Sequence, residues 1–597
     1  MCHALPRDGV SSTLRRRSVS KLGLPFGAFL IVMIGGEYPS IFLNEARRTE
    51  RIPLTQETQR TDSQVAPQLS SDCAGSIATG VGAPSATRAA RSHLRGSSLF
   101  LAGRLFSLFT NFFVQVLTVR YLQKSEFGAF AVALSIVSVA SSLNLLGLHR
   151  AVSRFVPIYH ERRDYGTMLG TMLLSVGSIL GLGLALVAAT VGFQGLLASW
   201  VVNDPLAVGL LLILIGLAPL EALDSTLQGM AAALSSPKSI VFRRYILGPL
   251  LRLAAVLVVL LATGNVRLLA VCYLAAGLLG AATYVVLIVQ TLRKEGLLER
   301  FDVKSLRMPF REIFGFSIPL ISTDAVLILR TTLAVVILEH FRGTTGVADF
   351  RAVVPVAGLS LLVIQSHKIL FGPSAARLHA KDDGAGINDL YWQSTIWITI
   401  LTFPVFAACL FLADPITELL FGARYSSSQA SPAPGILAIL AVGNYFNAAM
   451  GLNTYALQVY KRVRFITIIN VVAAVAGLVL CLVLIPSYGA WGAAIATTAS
   501  VVIHNLLNHA GLHWRTDIRI FESEGWRVYG SVLAAVLALT LIAWLLKPSV
   551  PVSVVAVALA SFAIVWVNRR SLRVGETFPR LARIPILRDV FSTKDRG

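Results

Sequence analysis

Charge is what this chain has least of. Asp, Glu, Lys and Arg together make up 14% of its 597 residues, against about 25% in soluble domains. The shortage falls on one sign, with 31 acidic residues against 52 basic ones. Cysteine is also scarce: Cys2, Cys73, Cys272, Cys409 and Cys481 show no CxxC or metal-ligand spacing and lie mostly in apolar runs. A disulfide framework or zinc site is therefore not expected, and these residues read as small hydrophobes. The chain also lacks G-x-x-x-x-G-K-[ST], a strand–GxGxxG–helix unit and HExxH. These gaps argue against an ATP-binding engine and a zincin; no cofactor or metal is expected.

What is abundant is long apolar sequence. Apolar residues reach 55%, mean hydropathy is +0.70, and the apolar residues come in blocks separated by short polar breaks. This implies an all-α polytopic membrane protein. We expect about fourteen spans, at 98–120, 127–147, 167–190, 206–233, 245–263, 267–290, 313–337, 347–369, 391–412, 434–457, 464–485, 489–508, 528–547 and 550–568. The net charge of +21 would suggest nucleic acid in a soluble protein. Here it reads as cytoplasmic retention of Lys and Arg, with no nucleic-acid partner.

The breaks carry the orientation. Those after even-numbered spans hold 22 Lys/Arg and those after odd-numbered spans hold six. That bias puts both ends of the helical body on the cytoplasmic side, and the expected location is a plasma (inner) membrane. Ahead of the spans, residues 1–96 form a poorly ordered arm with a short apolar segment at 22–36, below the length of an ordinary span. An over-extended start of the reading frame, a signal-like segment and a peripheral anchor all fit that arm.

Two segments of equal length echo one another, "RYLQKSEFGAF…YHERRD" (120–164) and "EHFRGTTGVADF…HAKDD" (339–383). Each runs from a sparsely charged break through one span into a basic helix ending in acidic residues. A repeat of six spans preserves orientation, so the two units would be related by a pseudo-two-fold along the membrane normal. The expected organisation is a lobe at 97–291, a linker at 292–311 and a second lobe at 312–515. Two additional helices at 516–569 and a cytoplasmic tail at 570–597 complete it.

Several stretches then resemble polysaccharide-export, O-antigen-type oligosaccharide flippases. "FFVQVLTVRYLQKSEFGAFAVALSIVSVASSLNLLGLHRAVSRFVPIY" is similar to their first two spans. "LFGARYSSSQASPAPGILAILAVGNYFNAA" resembles the segment entering the tenth, and "IPSYGAWGAAIATTAS" the entry into the twelfth. "FGARY" departs from the pattern, placing Arg424 where an acidic residue often precedes the Tyr. The resemblance covers about 98–515 and implies the superfamily of MATE exporters and lipid II flippases. It implies two lobes rocking between inward- and outward-open states. It further implies an oligosaccharide on a polyprenyl pyrophosphate as substrate, membrane lipids around the protein, and polymerase or other biosynthesis proteins as partners.

A carrier of that substrate needs cations for the diphosphate. Arg104, Arg252, Arg330 and Arg351 lie within spans, and a guanidinium pairs bidentately with phosphate oxygens. The alternative for each is snorkelling to headgroups. Glu221, Asp224 and Gln228 fall on one helix face. They are either ion-paired with an Arg of a neighbouring span, such as Arg252, or part of a coupling-ion site, for which Asp324 is a third candidate. Asn444 and Asn447, with Asn453 further on, are candidates for glycan hydroxyls or for interhelical hydrogen bonds. "AVSRFVPIYHERRD" reads as an interfacial helix, and His504 and His509 receive no role. Two rival functions remain at this level: an ion-coupled multidrug/cation antiporter of the same superfamily, and a membrane-embedded polymerase or glycosyltransferase. The short outer breaks argue against the second, so an enzyme is not expected.

Overall fold

The structure is a computed structural model that describes the backbone over 84–573, apart from 201, 235–236, 263–264, 298–305, 517 and 520–521. The side chains of 84–101, 200, 237 and 319–331 also lie outside the described part. Most of the expected N-terminal arm and the tail beyond 573 fall outside it too.

The described chain is helical: α1 (Pro84–Tyr121), α2 (Lys124–Leu145), α3 (Leu148–Glu161), α4 (Tyr165–Gly192), α5 (Pro205–Leu214), α6 (Leu217–Ala233), α7 (Gly248–Ala262) and α8 (Val266–Lys294). Then come α9 (Phe310–Ala357), α10 (Leu361–His379), α11 (Gly384–Phe411), α12 (Ala433–Ala449), α13 (Asn453–Val459), α14 (Val463–Tyr488), α15 (Ala490–Arg515), α16 (Ser523–Leu546) and α17 (Val550–Val567). The first helix starts at Pro84 rather than 98, because "ATRAARSHLR" is made largely of good helix formers that extend the helix beyond its apolar part. Among the described residues twelve helices are long and apolar enough to cross a membrane, or thirteen if the bent pair α5–α6 is one span. The expected fourteen is not reached on that count. The two expected spans 313–337 and 347–369 share the long α9, which has a non-helical residue at Gly343 (φ 70°, ψ −178°).

Start signals explain where the helices begin. Gln123 and Glu126 form a capping box on α2, Asp204 caps Leu206 N at 2.8 Å with Pro205 in the first turn, and Asn265 caps α8. Inside the spans, Ser and Thr hydroxyls bond the carbonyl one turn back, as Thr171 does to Thr167 at 2.8 Å and Thr395 to Tyr391 at 2.8 Å. That local bond lets an alcohol sit in an apolar helix without a distant partner.

The internal echo has a structural counterpart at equal positions. Arg163 and Asp382 both take positive φ (57° and 54°). The next residues, Asp164 and Asp383, cap the following helices through Thr167 N at 3.1 Å and Gly386 N at 2.8 Å. Their backbone angles nearly coincide (φ −86°, ψ 73° and φ −86°, ψ 77°).

Among the described residues, the buried apolar side chains divide into three clusters. One joins both halves of the chain on the face with few Lys and Arg: Phe130 and Val132 of α2 and Leu210 of α5 pack in the same cluster as Val353 of α9 and Phe403 of α11. On the basic face the core is split. Leu148, Met168 and Tyr284 belong to one cluster, and Phe371, Tyr391 and Leu457 to another. The start of α9 does not follow the expected boundary at 312: Ile313 is buried in the first of these two, Phe316 meets Phe155 edge-on at 5.5 Å, and Tyr159 donates to Glu312 at 2.8 Å. The hairpin α16–α17 is tied down on the basic face by Arg573, which reaches Asp389 at 3.0 Å and Glu524 at 3.5 Å.

Candidate functional site

The acids of α6 face neighbouring helices. Glu221 hydrogen-bonds Ser141 of α2, and two turns further on a Cβ at Gly229 would come within 2.8 Å of the His149 carbonyl. α6 therefore packs against α2 at Glu221 and against α3 at Gly229.

Asp224 has a different partner from the one expected. Its carboxylate pairs with Arg243 Nη2 at 2.6 Å, and Arg243 is 8% exposed. The same guanidinium donates from Nε to the Gly280 carbonyl at 2.7 Å and lies 6.0 Å from the Tyr284 ring centre. Gly280 is needed for this seat, since a Cβ there would lie 2.2 Å from Arg243 Nη2. Arg243 belongs to a π-helical turn, Val241–Leu247, and is the buried one of two adjacent arginines. The other, Arg244, hydrogen-bonds Gln228.

Arg252, the partner expected from sequence, is instead exposed on α7. It lies near enough for its charge to act on Glu221, Asp224 and Tyr273. The α6–α8 group thus sets three guanidinium groups against two carboxylates. Arg104 is half-buried on α1, beside Gly103, where an added Cβ would lie 3.0 Å from Val241 and 3.2 Å from Tyr245 of the π-turn. Arg351 crosses between the halves of the chain, donating to Ser135 of α2 at 2.8 Å. The side chains of Asp324 and Arg330 lie outside the described residues.

The asparagines are committed to helix–helix contacts. Asn444 donates to the Ala357 carbonyl at 3.0 Å. Asn447 accepts from Asn505 at 2.9 Å, and Asn505 in turn accepts from Asn453 at 3.0 Å. His504, given no role from sequence, sits 3.0 Å from Asn470 and 3.1 Å from Asn508. The arrangement favours the interhelical alternative for Asn444 and Asn447.

Among the described residues outside the spans, two carboxylates are perturbed, Asp164 and Asp414. Bonds from the Thr167 hydroxyl and N–H hold Asp164 below the usual carboxylate range. Burial pushes Asp414 up, but the Ser427 N–H and the hydroxyls of Ser427 and Ser426 outweigh it and leave the group below that range.

Residues 93–367 match the family described as polysaccharide biosynthesis protein. The probable low-salt glycan biosynthesis flippase Agl15 of Haloferax volcanii is 23% identical over 202 residues, which is 34% of this chain and 42% of that protein. The chain therefore aligns with less than half of that relative's length. Among solved structures, the lipid II flippase MurJ in an inward closed conformation superposes with a TM-score of 0.62 at 16% identity, covering 79% of this chain and 99% of that one. An inward-facing multidrug resistance MATE family transporter of the MOP superfamily gives 0.53 at 13% identity, covering 70% and 96%. The two neighbours share this chain's two-lobed transporter fold, and the resemblance read from the sequence agrees with the family matched.

Proposed function

We propose that this chain is a flippase that moves polyprenyl-pyrophosphate-linked oligosaccharide across the plasma (inner) membrane by alternating access, both ends of its helical body being cytoplasmic. One observation carries the mechanism: the apolar core is continuous between the halves on the sparsely charged face and divided on the basic face. A carrier at rest with its gap toward the basic face fits that distribution, because the joined side resists opening while on the divided side only the start of α9, through Ile313 and Phe316, packs into the first half's core. The family match and the glycan flippase relative support the substrate class.

Charge supports an anionic cargo. With three arginines against Glu221 and Asp224, the α6–α8 group keeps an excess of positive charge in a region of low dielectric. In our reading Arg252, exposed and within electrostatic range of both carboxylates, meets the diphosphate, and Arg243 stays locked by Asp224 as a fixed positive background. Arg104, Arg330 and Arg351 complete the cationic path. The acids balance charge in the empty carrier, and Glu221 and Asp224 with Asp324 are the places where a coupling ion binds. A cation exporter would need the opposite excess, so the antiporter reading is the weaker one. A polysaccharide polymerase is the partner this function would feed.

The test is reconstitution into vesicles containing a labelled polyprenyl-pyrophosphate sugar, following the label from one leaflet to the other. Arg252→Ala and Arg330→Ala should each slow movement at least tenfold. Movement at the parent rate in both variants would remove the arginines from the assigned role.

A further inference from the structure

The sparsely charged face carries a set of contacts, most of which join the first half of the chain to the second. Lys124, at the start of α2, meets Asp349 of α9 at 2.7 Å, with the two side chains 24% and 7% exposed. Ser431, from the loop before α12, donates to the same Asp349 oxygen at 2.7 Å and lies 3.4 Å from Lys124 Nζ. The Tyr425 ring closes over the ammonium at 5.2 Å. Beside this cluster, Glu339 is 1% exposed and accepts the N–H groups of Asn203 and Asp204 at 2.9 and 3.1 Å. Thr344 donates to Asp204 at 2.9 Å. Arg424, from the "FGARY" departure, donates to the Leu122 carbonyl at 2.8 Å. Between the clusters the helices touch backbone to backbone, since a Cβ at Gly128 would lie 1.8 Å from the Thr344 carbonyl oxygen; only glycine permits that approach.

We propose that Lys124, Asp349 and Ser431 are the latch of a gate that keeps the carrier closed on its sparsely charged face. The proposal rests on the alternating-access reading above, because a gate is needed only where this face opens in turn. The chemistry suits the task. Closed, the pair is largely sheltered and Asp349 is bonded twice. Open, both charges lie at the end of a span where water and headgroups can take them back, so the latch holds without trapping. The Glu339 contacts use backbone N–H groups ahead of α5 and fix the angle at which the halves meet.

The experiment uses the full chain with its native cysteines replaced and a reporter at Ala131→Cys. Ala131 is 6% exposed, one turn beyond Gly128 on α2. In sealed vesicles of known orientation, a membrane-impermeant maleimide is applied to the sparsely charged face and the labelling rate is read. Lys124→Ala and Asp349→Asn should each raise the rate about tenfold, equivalent to about 1.4 kcal/mol. The swapped pair Lys124→Asp with Asp349→Lys should return it to within about twofold of the parent. Ser431→Ala, which strands no charge, should give a smaller rise in the same direction. Gel filtration after heating checks that each variant is folded. Parent-rate labelling in the folded single variants, or a folded swap labelled as fast as the singles, would overturn the latch. The reporter needs no lipid-linked sugar, so a failed transport assay and a failed latch are separate results.

Discussion

A methyl group at Gly280 tests the buried centre of the candidate site. Gly280 lies inside α8, and replacing a helical glycine by alanine ordinarily stabilises by about 1 kcal/mol. Here the new Cβ would stand 2.2 Å from Arg243 Nη2 and 2.7 Å from Cζ. The guanidinium must leave, giving up its bond to the Gly280 carbonyl and its pairing with Asp224. Breaking a fully buried pair costs about 3–5 kcal/mol. Because the Asp224 side chain is 26% exposed, water recovers part of that, and we take the loss as about 2 kcal/mol. Gly280→Ala should therefore be net destabilising by about 1 kcal/mol. In an Arg243→Ala background nothing remains to displace, and the same change should stabilise by up to about 1 kcal/mol. Thermal unfolding in detergent for the parent, both single variants and the double variant reads the sign in each background. Stabilisation by Gly280→Ala in both backgrounds would refute the seat assigned to Arg243.

Other expectations follow from the same geometry. Asp164→Ala and Asp383→Ala should each cost about 1 kcal/mol, the worth of an N-cap, and a large inequality in thermal unfolding would separate the two caps as mechanical equivalents. The Asp414 carboxyl sits below its usual range in the folded chain, so its contribution is present above the unfolded value of about 3.9 and is lost as pH falls through the lower folded value. Amide exchange at Ser427 and Ser428, corrected for the intrinsic rate, should accordingly stay slow at pH 6 and quicken only in strong acid; quickening already at pH 5 would contradict this. Asn505→Ala removes bonds to Asn447 and Asn453 and should cost about 1 kcal/mol, since such interhelical bonds average about 0.6 kcal/mol each. A loss of transport without a loss of stability in that variant would restore the glycan-binding alternative.

Much of the architecture was legible in the sequence because a bilayer leaves few choices. Long apolar blocks must be helices, and the Lys/Arg bias of alternate breaks keeps their parity. The count is taken over the described residues only: the side chains of 319–331, about half of the expected span 313–337, lie outside them, and α5–α6 counts as one span only as a bent pair. The shared face of Glu221, Asp224 and Gln228 followed from spacing alone. Their partners did not: "SIVFRR" reads as a basic break, and nothing in its spacing marks Arg243 as the buried one of the two arginines. Lys124, Asp349 and Glu339 escaped notice for a related reason. Single charges near span ends look like headgroup contacts until the second half of the chain is seen packed against them. Arg424 stood out as a departure from the family pattern, and its bond to the Leu122 carbonyl gives that departure a structural role.

The most direct measurement compares two cargoes in one preparation. Vesicles holding the parent protein would receive the same labelled oligosaccharide on a polyprenyl pyrophosphate and on an uncharged lipid of equal length. The account predicts fast leaflet exchange of the pyrophosphate-linked form that is lost in Arg252→Ala, and background exchange of the uncharged form. Equal exchange of both lipids, or exchange of neither above protein-free vesicles, would contradict it.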